Sequence, residues 1–460
     1  MGGEWKLQKI GDLGKVITGK TPSTRRPEYF GGEYPFITIP DLDGRRDIST
    51  SARTLSQLGS DTMASCRLPA GAVITSCIAT IGKSGITTRP SFTNQQINSV
   101  ICGRDVDPKF LYYSFAQLGP ALDAAGGGGS VYTNVSKSRF SAIEVLIPPL
   151  KEQQAIACIL GALDDKIEMN RRMNRTLEGM ARAIFKSWFV DFDPVYGNMK
   201  RRDDKGNKRK GARAQGRKED LGVFAASRLG GFALKPDLAA LFPDGFEDSE
   251  LGEIPKGWRV RALPEVLHVN PTRSLPKGAL APYLDMANMP TQGPSPEAWV
   301  IREMGSGMKF VNGDTLVARI TPCLENGKTA FVDFLANGEV GWGSTEYIVL
   351  RPKGAIPPIF AYLLSRTEDF RAFAIHQMTG SSGRQRVPAD SLDKYSIATP
   401  DIDSQVFRHF GNLVSPTFDR IKAAMVQSRT LAALRDALLP KLISGELRAP
   451  DAERIVGRGV

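Results

Sequence analysis

The 460-residue sequence contains few cysteines and histidines and no long apolar run. No CxxC pair occurs, which argues against a zinc knuckle or a disulfide framework. We expect buried free thiols in a reducing compartment at Cys66, Cys77, Cys102, Cys158 and Cys323. No run of 18 apolar residues occurs, and residues 1–11 lack the apolar core of a signal peptide. The sequence therefore predicts a cytoplasmic protein without a membrane span.

Recognisable catalytic motifs are also lacking, with one apparent exception. Gly14–Thr21 fits the phosphate-loop pattern G-x-x-x-x-G-K-T, which requires a helix to begin directly after it. Pro22 and Pro27 would interrupt that helix, so we expect a surface loop that touches DNA phosphate rather than an ATP site. The two Pro-Pro pairs lack the flanking residues of a nucleobase methyltransferase motif. The sequence thus predicts no catalytic residue, no metal site and no cofactor in this chain.

Positive charge exceeds negative charge, with 60 lysines and arginines against 49 aspartates and glutamates, a net of +11. Such a balance favours a polyanionic partner, most often nucleic acid. Residues 200–220 alone hold ten basic and four acidic residues, a net of +6. This stretch is either a strap along DNA phosphates or a solvated, flexible linker.

The sequence repeats itself with a period of about 250 residues. Seven landmarks recur in the same order, which indicates a domain duplication rather than a short solenoid repeat. The pairs are Trp5 with Trp258, Gly71–Thr75 with Gly313–Val317, Gly82-Lys83 with Gly327-Lys328, Pro108 with Pro358, the glycine loops 126–130 and 380–383, Ile147 with Ala398, and Gln153 with Gln405.

Each half of the chain predicts a mixed globular domain followed by one long helix. Short β-branched runs between turn residues predict strands at 34–39, 73–81, 100–102 and 347–350. We assign the fold class as α/β (α+β), with two similar domains joined by two long antiparallel coiled-coil helices in a pseudo-twofold arrangement.

The two long helices are predicted from a 4-3 spacing of apolar and small residues. Pro149 and Pro194 bracket the first helix, and Pro440 predicts a kink or an early stop in the second. Antiparallel packing is the simplest way to pair them. The predicted seam residues are Ile156, Leu160, Leu163, Ile167, Asn170, Asn174, Leu177, Ile184 and Trp188, with Ile421, Leu431 and Leu438 in the second helix.

Asn170 and Asn174 stand at two of these seam positions. Buried polar residues in a coiled coil can fix its register. The alternative is that the helices separate at this point, and the sequence does not decide between the two.

Polar loops recur at matching places in the two halves and contain the residue types that contact bases and phosphates. For each single residue, an ordinary polar loop remains the alternative. The candidates in the first half are Thr18, Lys20, Thr21, Lys83, Ser84, Gln95, Gln96, Gly128, Ser130, Tyr132, Asn134 and Lys137. Those in the second half are Arg319, Thr321, Lys328, Ser381, Ser382, Arg384 and Arg386.

The order of these landmarks resembles the specificity (S) subunits of Type I restriction-modification systems. The resemblance is carried by Ile147–Gln154, the Leu163–Ile167 helix segment, Gly252–Trp258 and Leu438–Gly445. It implies a target recognition domain at 1–148, a spacer helix at 149–191, a charged linker at 192–250, a second recognition domain at 251–400, a second spacer helix at 401–447 and a tail at 448–460.

The resemblance further implies that each domain reads one half of a bipartite site in double-stranded DNA, with the helices setting the spacer. Two methyltransferase (M) subunits and restriction/translocase (R) subunits would be the protein partners. They would supply S-adenosylmethionine and ATP with Mg²⁺, while this chain binds no cofactor. The competing hypotheses are a scaffold that holds two proteins without reading DNA and an ATPase or nuclease that uses the Lys20 loop.

Overall fold

A computed structural model describes residues 4–78, 80–125, 135–210, 236–296, 298–381 and 383–459, without side chains for 204–210, 458 and 459. The chain divides into two compact units. Unit 1 comprises Met1–Asn170 and Gln427–Val460, and unit 2 comprises Arg171–Val426. Each long helix contributes its two parts to different units.

Within its described residues, unit 1 begins with ten strands and four short α-helices. The strands are β1 Lys6–Lys9, β2 Gly14–Thr18, β3 Phe30–Ile37, β4 Asp47–Ile48, β5 Arg53–Leu55, β6 Val73–Ser76, β7 Ser84–Thr87, β8 Phe92–Thr93, β9 Ile97–Cys102 and β10 Glu144–Ile147. The helices are α1 Gln57–Thr62, α2 Pro108–Phe115, α3 Gly119–Ala125 and α4 Lys137–Ala142. We call this part the first domain. The long helix α5, Leu150–Phe189, follows it.

Unit 2 contains the remaining strands. After helices α6 Asp193–Lys210 and α7 Pro236–Ala239 come β11 Phe246–Ser249 and β12 Gly252–Pro255. The second domain then consists of β13 Arg259–Ala262, α8 Leu263–Val266, β14 Leu267–Val269, β15 Leu280–Leu284, β16 Val300–Glu303, β17 Met308–Phe310, β18 Thr315–Ala318, β19 Thr329–Phe331, β20 Gly341–Gly343, β21 Tyr347–Pro352, α9 Ile359–Ser365, α10 Glu368–His376 and β22 Ser396–Thr399. Helix α11, Gln405–Ile443, and helix α12, Ala449–Gly459, end the chain.

The two domains share a common core topology, to which the first domain adds β4 and the second adds β17. The main sheet has the order β2-β9-β6-β7-β4 in the first domain and β14-β21-β18-β19 in the second. A second sheet joins β5-β3-β8 in one domain and β16-β15-β20-β17 in the other, with one antiparallel and one parallel neighbour for β3 and for β15. A two-stranded ribbon, β1-β10 or β13-β22, completes each. The duplication inferred from the repeat is therefore present in the fold.

The central strands β6 and β18 of the main sheets are buried on both faces. All four residues of β6 and all four of β18 are buried, in keeping with a strand that has neighbours on both sides and helices or a second sheet on its faces. The predicted run at 73–81 is too long, because the strand ends at Ser76. The ribbon register pairs Lys6 with Ile147 and Arg259 with Thr399, so Thr399 rather than Ala398 is the counterpart of Ile147.

The long helices contact each other in antiparallel fashion within each unit. In unit 1 the Arg435 guanidinium donates to Asp164 at 2.7 Å, and Asn170 Nδ2 donates to Gln427 at 2.9 Å. In unit 2 the ring of Phe189 stacks on Phe407 with centroids 5.4 Å apart, and Phe185 contacts Phe410 at 6.1 Å. As the residue number rises along α5 it falls along α11, which is the signature of antiparallel packing.

Several expectations from the sequence are corrected. Of the two alternatives at Pro440, a kink or an early stop, the early stop is wrong, because helix α11 continues to Ile443. The basic stretch is not wholly a flexible linker, since it is helical through Lys210, and residues 211–235 lie outside the described part. Cys158 is exposed, so the thiols are not all buried.

The chain end labelled a tail is also structured, because it forms α12. Ala449 and Ala452 on this helix are buried in the hydrophobic core of unit 1, and Trp5 packs against the same core.

Candidate nucleic-acid interface

The candidate residues of the first domain lie at one end of its main sheet. Because neighbouring strands are antiparallel, the end of β2, the start of β9, the end of β6 and the start of β7 meet at one edge. The register places Thr18, Asn98, Thr75 and Ser84 in one row across these strands. We call this edge, with the loops that leave it, the loop end of the domain.

Side-chain hydrogen bonds join the first two of these loops. The Thr18 hydroxyl donates to Asn98 Oδ1 at 2.6 Å, and the Thr21 hydroxyl donates to Gln95 Oε1 at 2.7 Å. The Lys20 main-chain N–H donates to the carbonyl of Thr93. The structure therefore brings together Thr18, Lys20, Thr21, Gln95 and Gln96, which are far apart in sequence.

The same network reaches the other candidate segments. The hydroxyls of Ser84 and Thr75 lie 2.9 Å apart. Asn98 Nδ2 donates to the carbonyl of Val135, whose own N–H donates to the carbonyl of Cys77. Both neighbours of the glycine loop, at 125 and 135, are described, but Gly128, Ser130, Tyr132 and Asn134 lie outside the described residues.

The solvent-facing side of this loop end is polar and basic. Lys20, Thr21, Lys83, Gln95 and Lys137 are exposed, whereas Thr18, Ser84 and Gln96 are half-buried. Exposed amides and hydroxyls can hydrogen-bond base edges, and lysine ammonium groups can contact phosphates. Cys77, below them, is buried, and this burial raises the pKa of its thiol, which favours an uncharged packing role.

The second domain has its loop end at the same place in the sheet. Thr329, Val317 and Ile348 form the row that corresponds to Ser84, Thr75 and Asn98. Arg319, Thr321 and Lys328 lie on the connection from β18 to β19. Val387 N–H donates to the carbonyl of Arg319 at 2.9 Å, which repeats the bond from Val135 to Cys77.

A tight hairpin between Thr379 and Arg386 completes this loop end. The two residues exchange both main-chain hydrogen bonds at 2.9 Å. Gly380 and Gly383 have positive φ angles of 117° and 80°, conformations that suit glycine and permit the sharp turn. Ser381 and Arg384 are exposed at its tip, and Ser382 lies outside the described residues.

The side chains of two candidates in the second domain form hydrogen bonds within the protein. The half-buried Lys328 ammonium donates to the carbonyls of Met286 and Ala287. Arg386 Nε donates to both carboxylate oxygens of Glu346, at 2.8 and 2.9 Å. Asn98 and Glu346 were not among the sequence candidates. Glu346 is the counterpart of Gln96, a candidate in the first domain. Alignment of the two halves of the sequence would therefore have identified Glu346.

The segment that matches the phosphate-loop pattern is part of the sheet. Gly14–Thr18 is strand β2 and pairs with β9, and the N–H groups of Gly19 and Lys20 donate to the carbonyls of Ile97 and Thr93. The next helical turn is the 3-10 helix Pro27–Tyr29. Main-chain N–H groups that would cradle phosphate are therefore already used.

Ion pairs and a tyrosine attach the first domain to the long helices. Asp164 accepts from the Tyr113 hydroxyl at 2.6 Å and from Arg435, and the neighbouring Asp165 pairs with the buried Arg46 at 2.7 Å. Burial, reinforced by the negative charge of Asp164, raises the pKa of the Tyr113 hydroxyl well above its usual value. In unit 2 the Tyr362 hydroxyl donates to the buried Glu178 at 2.6 Å.

The helix seam is buried except at two of the predicted positions. Leu177 and Ile184 are half-buried, and Glu178 and Phe185 beside them are the more deeply buried residues. The buried members of the predicted set are Ile156, Leu160, Leu163, Ile167, Asn170, Asn174, Trp188, Ile421, Leu431 and Leu438. Asn170 bonds Gln427 and Ser428 across the seam, which favours register fixing over separation of the helices.

The described residues hold neither a metal cluster nor a membrane helix. No group of three or more His, Cys, Asp and Glu in that part of the chain could hold a metal ion. None of the helices described there is both long and apolar enough to span a bilayer.

Comparison with known proteins finds similarity to specificity subunits of Type I restriction enzymes. Residues 2–179 match the family model described as Type I restriction modification DNA specificity domain. The Type I restriction enzyme MjaIX specificity subunit of Methanocaldococcus jannaschii is 28% identical over 97% of this chain and 94% of its own length. The HindI specificity subunit of Haemophilus influenzae is 34% identical over 36% of this chain and 38% of its own length.

A solved structure has the same fold. The crystal structure of a Type-I restriction-modification system S subunit from M. genitalium covers 95% of this chain and 96% of its own, with a TM-score of 0.51. The identity is 14%, so this likeness bears on the fold alone.

Proposed function

We infer that the chain belongs to the family of Type I restriction-modification specificity subunits, and from that premise we propose that it is the DNA-reading subunit of its complex and has no catalytic site. Each domain reads one half of a bipartite, asymmetric site in double-stranded DNA. The observation that carries the proposal is the recurrence of the loop end. In each domain the polar candidate loops leave the equivalent edge of the main sheet.

The helices α5 and α11 set the spacer between the half-sites in this proposal. Two methyltransferase subunits dock on the chain and bring S-adenosylmethionine, and restriction subunits bring ATP and Mg²⁺. The complex acts in the cytoplasm. Support comes from the specificity subunits that the chain resembles and from the antiparallel contacts of α5 with α11, among them the bond from the buried Asn170 to Gln427.

The spacer role is tested by shortening both helices together. The register of Asn170 with Gln427 places 171–177 of α5 opposite 420–426 of α11. Removing these two heptads preserves the seam pattern and shortens each helix by about 10 Å, or roughly three base pairs of B-DNA. We expect the reconstituted methyltransferase complex to methylate the same half-sites with a spacer about three base pairs shorter.

The control deletes 171–177 alone, which mismatches the seam and should abolish assembly. An unchanged spacer in the paired deletion would refute the ruler. If the complex binds DNA without sequence preference, the scaffold hypothesis replaces the proposal. Nucleotide-dependent thermal stabilisation that disappears in Lys20→Ala would instead support an ATPase.

A further inference from the structure

We propose that Arg386 is a base-reading arginine of the second domain, that Glu346 positions it, and that its target is a guanine edge in the major groove. This inference rests on the proposed function and deepens it, since it names one residue and one base pair of the half-site. Arg386 shares the loop end with Lys328, Arg319 and Arg384, and its surroundings differ from theirs.

The main chain around Arg386 is held on both sides. Arg386 exchanges two hydrogen bonds with Thr379 and forms a β-bridge with Ile320. The adjacent Gln385 accepts from Thr321 N–H and donates its own N–H to the Thr321 hydroxyl. The Cα of Arg386 is therefore fixed between two segments, although the residue lies in a loop.

The side chain of Arg386 is held at its base and exposed at its tip. Both carboxylate oxygens of Glu346 accept from Nε of Arg386. The main chain of Glu346 is held in turn, because its N–H donates to the Ser344 hydroxyl and its carbonyl accepts from the N–H of Arg319. The Arg386 side chain remains 44% exposed and that of Glu346 22%. A side chain fixed in this way loses little conformational entropy when it binds, so it can contribute specificity.

The charge of the pair favours a base over a phosphate. Arg386 and Glu346 together are neutral, and a phosphate brought to the guanidinium would also meet the Glu346 carboxylate. A base edge is polar but uncharged and suffers no such repulsion. Nε donates to Glu346, and NH1 donates to the carbonyl of Arg384 at a long 3.4 Å. NH2 and the second N–H of NH1 remain at the tip of the fork, where they can bind guanine O6 and N7 together.

The neighbouring cations lack this arrangement. The Lys328 ammonium group donates to the carbonyls of Met286 and Ala287. Arg319 is half-buried, and its Nε is buried without a hydrogen-bond partner among the described residues. Arg384 is exposed, and within the described residues its side chain has no hydrogen-bond or ion-pair partner. Arg384 is therefore the matched control, because it lies in the same hairpin and carries the same group without a carboxylate to hold it.

The experiment selects DNA with the reconstituted complex of this chain and its methyltransferase subunits. A duplex library with both half-sites randomised is bound, recovered and sequenced for wild type, Arg386→Lys, Glu346→Gln and Arg384→Lys. We expect Arg386→Lys to weaken the preference for one G·C pair in one half-site by about 10- to 100-fold, because lysine keeps the charge but loses the fork. Glu346→Gln should weaken the same position by about 3- to 10-fold.

The other half-site should match wild type. Arg384→Lys keeps the charge that a phosphate contact needs, so it should leave the relative base preferences of both half-sites unchanged even if the overall affinity falls. An equal loss at all positions would show that Arg386 contacts phosphate, and an unchanged motif would show that the ion pair serves only the loop; either result overturns the inference while the bipartite motif stands. A wild-type complex that selects no bipartite motif would overturn the proposed function itself. Thermal melting of each variant verifies that a changed motif does not come from unfolding.

Discussion

The first and second domains have the same main-chain hydrogen bonds at their loop ends but different side chains. The bond from Val135 to Cys77 recurs as the bond from Val387 to Arg319. Around it, the first domain uses neutral groups, such as Thr18 with Asn98 and Thr21 with Gln95. The second uses a charged pair, Arg386 with Glu346.

The same contrast extends into the interior. The second domain buries the guanidinium of Arg366 and the carboxylate of Asp314, which bonds Arg273 and Arg351. The equivalent positions in the first domain are Ala116 and Ala72. Because main-chain bonds hold the shared framework, side chains can change around it without changing the fold. This is a suitable construction for a pair of domains that read different sequences.

The largest expected effect comes from removing the buried charge of the second domain. The Arg366 guanidinium donates to four main-chain carbonyls and to the Tyr362 hydroxyl. Arg366→Ala would remove this donor from all four carbonyls, of which those of Gly327 and Thr329 accept in buried bonds. We therefore expect the free energy of unfolding of unit 2 to fall by about 3–5 kcal/mol. Denaturation followed by tryptophan fluorescence measures this, since Trp188, Trp258, Trp299 and Trp342 lie in unit 2 and Trp5 alone in unit 1.

Ala116 supplies the matched comparison. Its N–H donates to the carbonyl of Tyr112 as that of Arg366 does to Tyr362, so the two residues end equivalent helices. Ala116→Ser should change stability by less than about 0.5 kcal/mol. Equal losses at these two equivalent positions would contradict the view that, at this helix end, only the second domain depends on a buried charge.

A smaller effect distinguishes the tyrosines that attach each domain to the long helices. Tyr362→Phe removes the hydrogen bond to the buried Glu178, and we expect a loss of about 2–3 kcal/mol. Tyr113→Phe leaves Asp164 bonded to Arg435, so the loss should be about 1 kcal/mol. Thermal and chemical denaturation of the two variants at neutral pH measures the two losses of stability. A larger loss for Tyr113→Phe would contradict the view that the Tyr362 hydroxyl is the more important of the two attachments.

The same tyrosines predict how stability depends on pH. Burial raises the pKa of both hydroxyls well above 10, so they stay protonated in the folded protein. The unfolded chain releases these protons near pH 10, and above that pH the folded state binds more protons than the unfolded state. Stability should therefore be complete below pH 10 and fall above it, and each Tyr→Phe variant should show a shallower fall.

Much of this fold could be predicted from the sequence, because the informative signals were periodic. The 4-3 spacing from Ile156 to Trp188 and the repeated landmarks depend on chain geometry alone. Strand ends and the helicity of 193–210 could not be predicted in the same way. They depend on tertiary contacts such as Asn198, whose side chain donates to the carbonyls of Ala239 and Phe242.

The site was predicted in part, and the reason is again physical. The sequence repeat places Lys328 and Lys83 in matching loops. It cannot show that the Lys328 ammonium group donates hydrogen bonds to main-chain carbonyls whereas Lys83 is exposed. Glu346 was missed because a carboxylate does not attract DNA by itself. Its effect comes only through Arg386, a residue 40 positions later in the chain.

The last comparison, of effects on DNA binding, separates these two equivalent lysines. Lys83→Ala should reduce DNA affinity several-fold and lower the slope of log affinity against log salt by about 0.9, since each phosphate contact releases counterions. Lys328→Ala should leave that slope unchanged and lower the stability of unit 2 by about 1–2 kcal/mol, because the carbonyls of Met286 and Ala287 lose their donor. Salt titrations of DNA binding and denaturation curves on both variants supply the four values. If both lysines moved the salt slope equally, the domains would present the same charge to DNA, and their difference would lie in the bases alone.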